Sequence, residues 1–206
     1  MLVRSRTNSS WVSLMSLLKQ AKTLSKRQIT LTTALLQQTR YPARNLAIFL
    51  LSIKAGLRAK EIASLTWDML TDAEGNLAFA LNLRDEASKG SSGRVIPLNK
   101  ELRSALQKLH NERSNSPYVI TTERSERTSA AAIVNLFAQW YSATGLKGCS
   151  SHSGRRTFIT NAARTISTVG GSLRDVQMLA GHRALSTTQR YIEADVEAQK
   201  RVVDLV

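Results

Sequence analysis

The stretch between Pro42 and Gly56 limits most tightly what this chain can fold into. Residues 46–51 read Leu-Ala-Ile-Phe-Leu-Leu, the clearest apolar run in the sequence. Six residues fall far short of the roughly 20 needed to cross a bilayer. The run is therefore core, and the spacing predicts a mostly buried helix over residues 43–54. Tyr41-Pro42 breaks the chain before it, and Gly56 is a suitable stop after it, since glycine adopts the left-handed turn that ends helices. A helix apolar on most sides must be wrapped by other elements.

Those other elements are mostly helices. Trp11, Leu14, Met15, Leu17 and Leu18 have helical spacing, which predicts a short amphipathic helix over 11–24 behind a loose, basic residue 1–10 segment. Ser25 can cap a helix running to residue 38. A short helix is expected over 58–65. The texture then changes: Asp72, Gly75 and Asn76 read as a turn, and 77–83 and 94–98 as strands of one small antiparallel sheet. The Ser- and Gly-rich residues 87–93 form its flexible connection, with Lys89 in or beside the turn. Helix returns over 99–109 and 130–141, with a brief extended piece at 118–120. Further helices are expected around His152, over 173–179, near Tyr191 and over 195–205. The predicted class is mainly α with a small antiparallel β-sheet (α+β).

Charge narrows the partner. The 206-residue chain carries a net charge of +14, and its first carboxylate is Glu61, preceded by eleven Lys or Arg. A basic total so unevenly placed points to a polyanion, nucleic acid before acidic membrane. The 42% hydrophobic content supplies one large domain, or one domain with a short appendage. One cysteine, Cys149, cannot form an internal disulfide and suits a reducing compartment. The histidines and the cysteine show no metal-ligand spacing. Arg4 and Arg6 ahead of 11–18 faintly imitate a leader peptide, but Ser13, Ser16 and Lys19 interrupt the apolar stretch.

The chemistry-bearing residues gather near the end: Ser151-His152-Ser153-Gly154-Arg155-Arg156, then Gly181-His182, then Thr188-Gln189-Arg190-Tyr191. His152 and Arg155 at i, i+3 share one helix face. Cations and imidazoles suit an anionic oxygen centre, and the Tyr191 hydroxyl is the obvious nucleophile. A phosphodiester is the natural electrophile. Singly, each residue also has a plain structural reading: Arg58 and Glu61 as a surface pair, Lys89 as a solvated turn lysine, His182 as a satisfied histidine, Tyr191 as a packed aromatic.

In order, Gly56-Leu57-Arg58-x-x-Glu61, the Lys89-Gly90 hairpin ahead of Arg94-x-Ile96-Pro97-Leu98, His152-x-x-Arg155, Gly181-His182 and Tyr191 resemble the tyrosine recombinases, the phage integrase family. The likeness covers roughly residues 24–193. It implies a mostly helical catalytic domain over 25–206 behind a basic 1–24 segment, and site-specific cleavage and rejoining of DNA through a 3′-phosphotyrosine. It implies no cofactor and no metal. By the same resemblance Tyr191 is the nucleophile, Arg58 and Arg155 hold the non-bridging oxygens, Lys89 protonates the departing 5′-oxygen, His152 and His182 bind and shuttle protons, and Glu61 orients its neighbours. Lys19, Lys22, Lys26, Arg27, Arg94, Arg156 and Arg183 are candidate contacts to double-stranded DNA.

Two departures from the family pattern stand out. Only about 25 residues precede the apparent catalytic domain, where most members carry a further DNA-clamping domain of about a hundred residues, so the chain resembles the short, catalytic-domain-only type. Gly154-Arg155-Arg156 stands where Leu-Arg-His is commoner, which softens the helix start. The resemblance implies a homotetramer on DNA and a monomer when free, with residues 194–206 docking on a neighbouring protomer, accessory DNA-bending or DNA-binding proteins, no membrane, and a cytoplasmic, nucleoid-associated setting. Relaxation of supercoils in the manner of a type IB topoisomerase and a catalytically silent DNA-binding regulator are the alternatives.

Overall fold

The computed structural model describes residues 21–88, 92–112, 116–192 and 203–204. Lys89, Lys19, most of the predicted 11–24 helix and nearly all of the predicted final helix lie outside the described residues. The elements run α1 (Lys26–Gln37), α2 (Pro42–Ala55), α3 (Ala59–Ala63), a 3-10 turn (Trp67–Met69), β1 (Ala80–Leu83), β2 (Arg94–Pro97), α4 (Lys100–Asn111), α5 (Ala130–Ala143), α6 (Ser153–Thr165), a second 3-10 turn (Ile166–Val169), α7 (Leu173–Ala180) and α8 (Leu185–Gln189). Among the described residues no helix is long and apolar enough to cross a membrane.

Helix α2 is the buried centre. Pro42 sits at its first turn, where its missing N–H costs nothing, and Gly56 closes it at φ 66°. Ten of its residues are buried, Phe49 and Leu51 completely. Burying each large apolar side chain stabilises by roughly 1.5–3 kcal/mol. Helices α4 and α6 both pack against it, and α1 packs on α2 and α5. Ser25 caps α1 as its sequence suggests: Ser25 Oγ accepts from the Gln28 amide and Gln28 Oε1 accepts from the Ser25 amide.

The sheet has two antiparallel strands, with Leu81 opposite Ile96 and Leu83 opposite Arg94. Leu81, Leu83 and Ile96 face inward, while Asn82 and Val95 face out. It is shorter than the 77–83 stretch predicts. Leu77 instead forms an isolated bridge to Thr71 round the Asp72–Asn76 turn, where Asp72 Oδ1 accepts from the Asn76 amide. Tyr118 likewise makes only a bridge, to Thr66. The stem of the hairpin is firmer than its Ser- and Gly-rich composition suggests. Ala87 and Ser88 are buried, Ser88 Oγ accepts from the Ser92 amide at 2.8 Å, and Asp85 Oδ1 accepts from the Gly93 amide at 2.7 Å.

A second, smaller apolar cluster joins α6 to α7. Ile159, Val176 and Ala180 are its buried members, and Phe158 and Tyr191 pack on it. The chemistry-bearing residues meet in a cleft lined by the start of α3, the first turn of α6, the loop after α7 and the turn after α8.

Candidate active site

Arg58 precedes α3 as its N-cap residue. The fully buried Glu61 carboxylate accepts four hydrogen bonds: from the Arg58 amide at 2.9 Å and Arg58 Nη1 at 2.7 Å, and from Arg94 Nη1 and Nη2, both at 3.2 Å. Burial alone would raise the pKa of Glu61, but the hydrogen bonds and charges of Arg94 and Arg58 together hold it below the usual value. A buried carboxylate is tolerated only when paired and fully hydrogen-bonded. Arg58 keeps about a quarter of its side chain exposed, 23%, whereas Arg94 keeps 6%. Arg94, a candidate DNA contact in the sequence, is thus spent inside: Nε donates to the Leu179 carbonyl at 2.8 Å and the fork grips Glu61. It links β2, α3 and α7.

Arg155 lies in the first turn of α6 and is buried, with 3% of its surface exposed. Nη1 donates to the Gly56 carbonyl at 2.5 Å, and Nη2 to the Ala180 carbonyl at 2.6 Å and toward His182 Nε2 at 3.0 Å. Those carbonyls are the open C-terminal ends of α2 and α7, which carry partial negative charge and suit a cation. Desolvation, with repulsion from Arg58, lowers the Arg155 pKa to about 10, still far above neutrality. Gly154 explains how α6 approaches so closely. A Cβ built there would sit 2.3 Å from Ser52 Oγ of α2 and 2.9 Å from Ile53 Cγ2. What reads in the sequence as a softened helix start is a helix crossing that admits no side chain.

His182 follows the left-handed Gly181 that ends α7. Gln177 braces this loop, its Nε2 donating to the carbonyls of His182 at 2.8 Å and Arg183 at 3.2 Å. The ring lies between Arg155 Nη2 at Nε2 and Thr188 Oγ1 at Nδ1, 2.9 Å away. It stacks on Tyr191 with centroids 5.4 Å apart and planes inclined by 24°. Desolvation first, then the charges of Arg155, Arg58 and Arg94, push its pKa down to about 4. The imidazole is therefore neutral at physiological pH.

Tyr191 sits in the turn just past α8 and not within a helix, its amide donating to the Thr188 carbonyl and its own carbonyl accepting from Thr160 Oγ1 at 3.2 Å. Arg156 stands over its ring at 5.8 Å, inside cation–π range. His152 is the exposed N-cap of α6 and so precedes the helix that carries Arg155.

Arg58, His152, Arg155, His182 and Tyr191 line one open cleft of about 380 Å³, together with Ala21, Arg156, Thr187 and Arg190. Among the described residues, four arginines and no carboxylate line it. Lys22, Lys26, Arg27 and Arg183 are exposed. Lys22 lies next to the cleft-lining Ala21, and the chain there is tied to α6 by the Leu24 amide donating to Thr157 Oγ1 at 2.7 Å. His110 is far from this role, packed edge-on against Trp67 at 4.7 Å. Among the described residues no group of His, Cys, Asp or Glu is placed to hold a metal ion. Arg94, Gln177 and Thr188 were not legible as site supports, because each acts on a partner that is distant in sequence or visible only once α7 and α8 fold back.

A model of the phage integrase family matches residues 17–198. Tyrosine recombinase XerC of Syntrophus aciditrophicus (strain SB) is 27% identical over 173 residues, 78% of this chain and 52% of its own. Tyrosine recombinase XerA of Pyrococcus horikoshii is 28% identical over 165 residues, 78% of this chain and 54% of its own. The chain therefore spans about half the length of the curated relatives it matches. Among solved structures, the XerA recombinase superposes with a TM-score of 0.70 at 21% identity, over 89% of this chain and 64% of that one. The Tn1549 transposon integrase in complex with a circular intermediate DNA gives 0.72 at 16%, over 91% and 66%. Both share the fold.

Proposed function

The chain belongs to the phage integrase family, and from that premise we propose that its cleft cuts and rejoins double-stranded DNA for site-specific recombination, with Tyr191 as the nucleophile. One observation carries this: five residues from separate parts of the chain, Arg58, His152, Arg155, His182 and Tyr191, converge on a single cationic cleft. The Tyr191 oxygen attacks the phosphorus, the 5′-oxygen leaves with a proton, and the 3′-phosphate stays on the tyrosine. The reverse attack by a 5′-hydroxyl reseals a strand, so the bond energy is conserved.

Phosphodiester attack gathers negative charge on the equatorial oxygens. Preorganised guanidinium donors stabilise such charge more in the transition state than in the ground state. Arg58 and Arg155 are held ready for this by Glu61 and by two helix-end carbonyls. A tyrosine has an unperturbed pKa of about 10 and needs a proton acceptor. Neutral His182, stacked on the Tyr191 ring, is placed beside it, and His152 faces the same cleft. Lys89 supplies the leaving-group proton by resemblance. The enzyme works as a tetramer on two duplexes and is monomeric when free, with residues 194–206 docking in trans.

The test is covalent trapping on a nicked duplex, from which the short 3′ fragment diffuses after cleavage. Wild type should yield a denaturation-resistant DNA adduct, and Tyr191→Phe none, with duplex affinity nearly unchanged because one hydroxyl is lost. An adduct on the Phe variant would overturn the assignment.

A further inference from the structure

We propose, resting on the cleavage function above, that Thr188 is a positioning residue that fixes the His182 ring and ties it to the turn bearing Tyr191. The donor count leaves one arrangement. An arginine N–H can only donate, so His182 Nε2, 3.0 Å from Arg155 Nη2, accepts and carries no proton. The neutral ring then bears its proton on Nδ1 and donates it to Thr188 Oγ1 at 2.9 Å. Thr188 is fully buried. Without that acceptor a buried N–H would be stranded, a costly state that the ring would escape by turning.

The same residue holds the nucleophile. The Thr188 carbonyl accepts the Tyr191 amide at 3.0 Å, closing the turn that follows α8. Side chain and main chain of one threonine thus set the imidazole and the phenol relative to each other, with the rings stacked at 5.4 Å. Among the described residues, the charged groups that act most on the ring are Arg155 of α6, Arg58 at the N-cap of α3, Glu61 within it, and Arg94 of β2. All are cationic except Glu61, whose oxygens are taken up by Arg58 and Arg94, and among the described residues Nδ1 is hydrogen-bonded to Thr188. When a phosphodiester draws Arg155 Nη2 to itself, Nε2 is bared toward the cleft while Nδ1 stays anchored.

The experiment uses the full chain in two arms. In the first, ring-nitrogen spectra of the histidine-labelled protein, assigned with His110 and His152 variants, should show His182 protonated at Nδ1, bare at Nε2, and slow to exchange with solvent. Thr188→Val should lose that slow Nδ1 proton, and Thr188→Ser should keep it. In the second, single-turnover cleavage at saturating nicked duplex should fall at least about tenfold in Thr188→Val with affinity unchanged, and return to within about threefold in Thr188→Ser. A His182 proton on Nε2, full-rate cleavage by the Val variant, or failure of Ser to rescue would each overturn the proposal. If the wild type cuts nothing, the function falls, and the spectra alone decide whether Thr188 holds the ring.

Discussion

At the scale of single residues, two groups in the cleft, His182 and Arg155, are displaced from their ordinary protonation behaviour, and acid should reveal the first. His182 has a folded pKa of about 4 against an unperturbed 6.5. The unfolded chain therefore binds more protons than the folded one between those values, and stability rises with pH across that window. Read downward, stability is intact above pH 6.5 and is lost as pH falls toward 4, by up to about 3 kcal/mol. The Glu61 pKa is also lowered, so its stabilising contribution is lost on further acidification, as pH falls through its folded value. Thermal unfolding midpoints measured from pH 7 to 4 should fall, and His182→Asn should flatten the slope between 6.5 and 4. An unchanged slope in that variant would mean that other groups carry the acid sensitivity.

At the scale of elements, the α2–α6 crossing decides where Arg155 sits, and Gly154 decides the crossing. Helix propensity alone favours alanine over glycine by roughly 0.5–1 kcal/mol. The contact with Ser52 at 2.3 Å opposes it, and overpacking a core typically costs about 1–3 kcal/mol. The steric cost wins, so Gly154→Ala should destabilise in chemical denaturation. Ser52→Gly in the same chain should recover part of the loss, a non-additivity expected of touching sites. A Gly154→Ala protein as stable as wild type would contradict this packing.

Local grammar made much of the element map legible. The Ser25 cap of α1, the Pro42 start and Gly56 stop of α2, and the Asn99 cap of α4 all act within five residues of themselves. The order of Arg58, His152, Arg155, His182 and Tyr191 was legible for the same reason, since each sits in a short recognisable motif. What stayed hidden depends on distance. Arg58 and Glu61 at i, i+3 look like a surface pair until Arg94, 33 residues away, closes over the carboxylate. Gly154 looks like a weak helix residue until Ser52 arrives from 102 positions earlier in the sequence. The strand forecast at 77–83 overran because periodicity cannot show where a partner strand ends.

At the scale of the whole molecule, charge is distributed so that the face near the cleft pays a local electrostatic penalty. Helix α1 opens on Lys26 and Arg27 with no acidic residue in its first turn. Cations there oppose the helix dipole by roughly 0.3–1 kcal/mol each, whereas an anion at the same place would be bound favourably. Lys22, exposed beside cleft-lining Ala21, adds a third cation four residues before Lys26 in the chain. A polyanion along this edge resolves the conflict, and phosphate contacts of this kind set affinity without reading sequence. Each phosphate neutralised contributes about 0.9 to the slope of log affinity against log salt on duplex DNA. Replacing Lys22, Lys26 and Arg27 together by Ala should therefore reduce that slope by up to about 2.7, weaken binding to unrelated duplexes equally, and leave the Tyr191 adduct forming at saturating DNA. Titrations of wild type and the triple variant across a salt series measure this directly. A slope that does not change would place the DNA on another face and leave the patch to solvent.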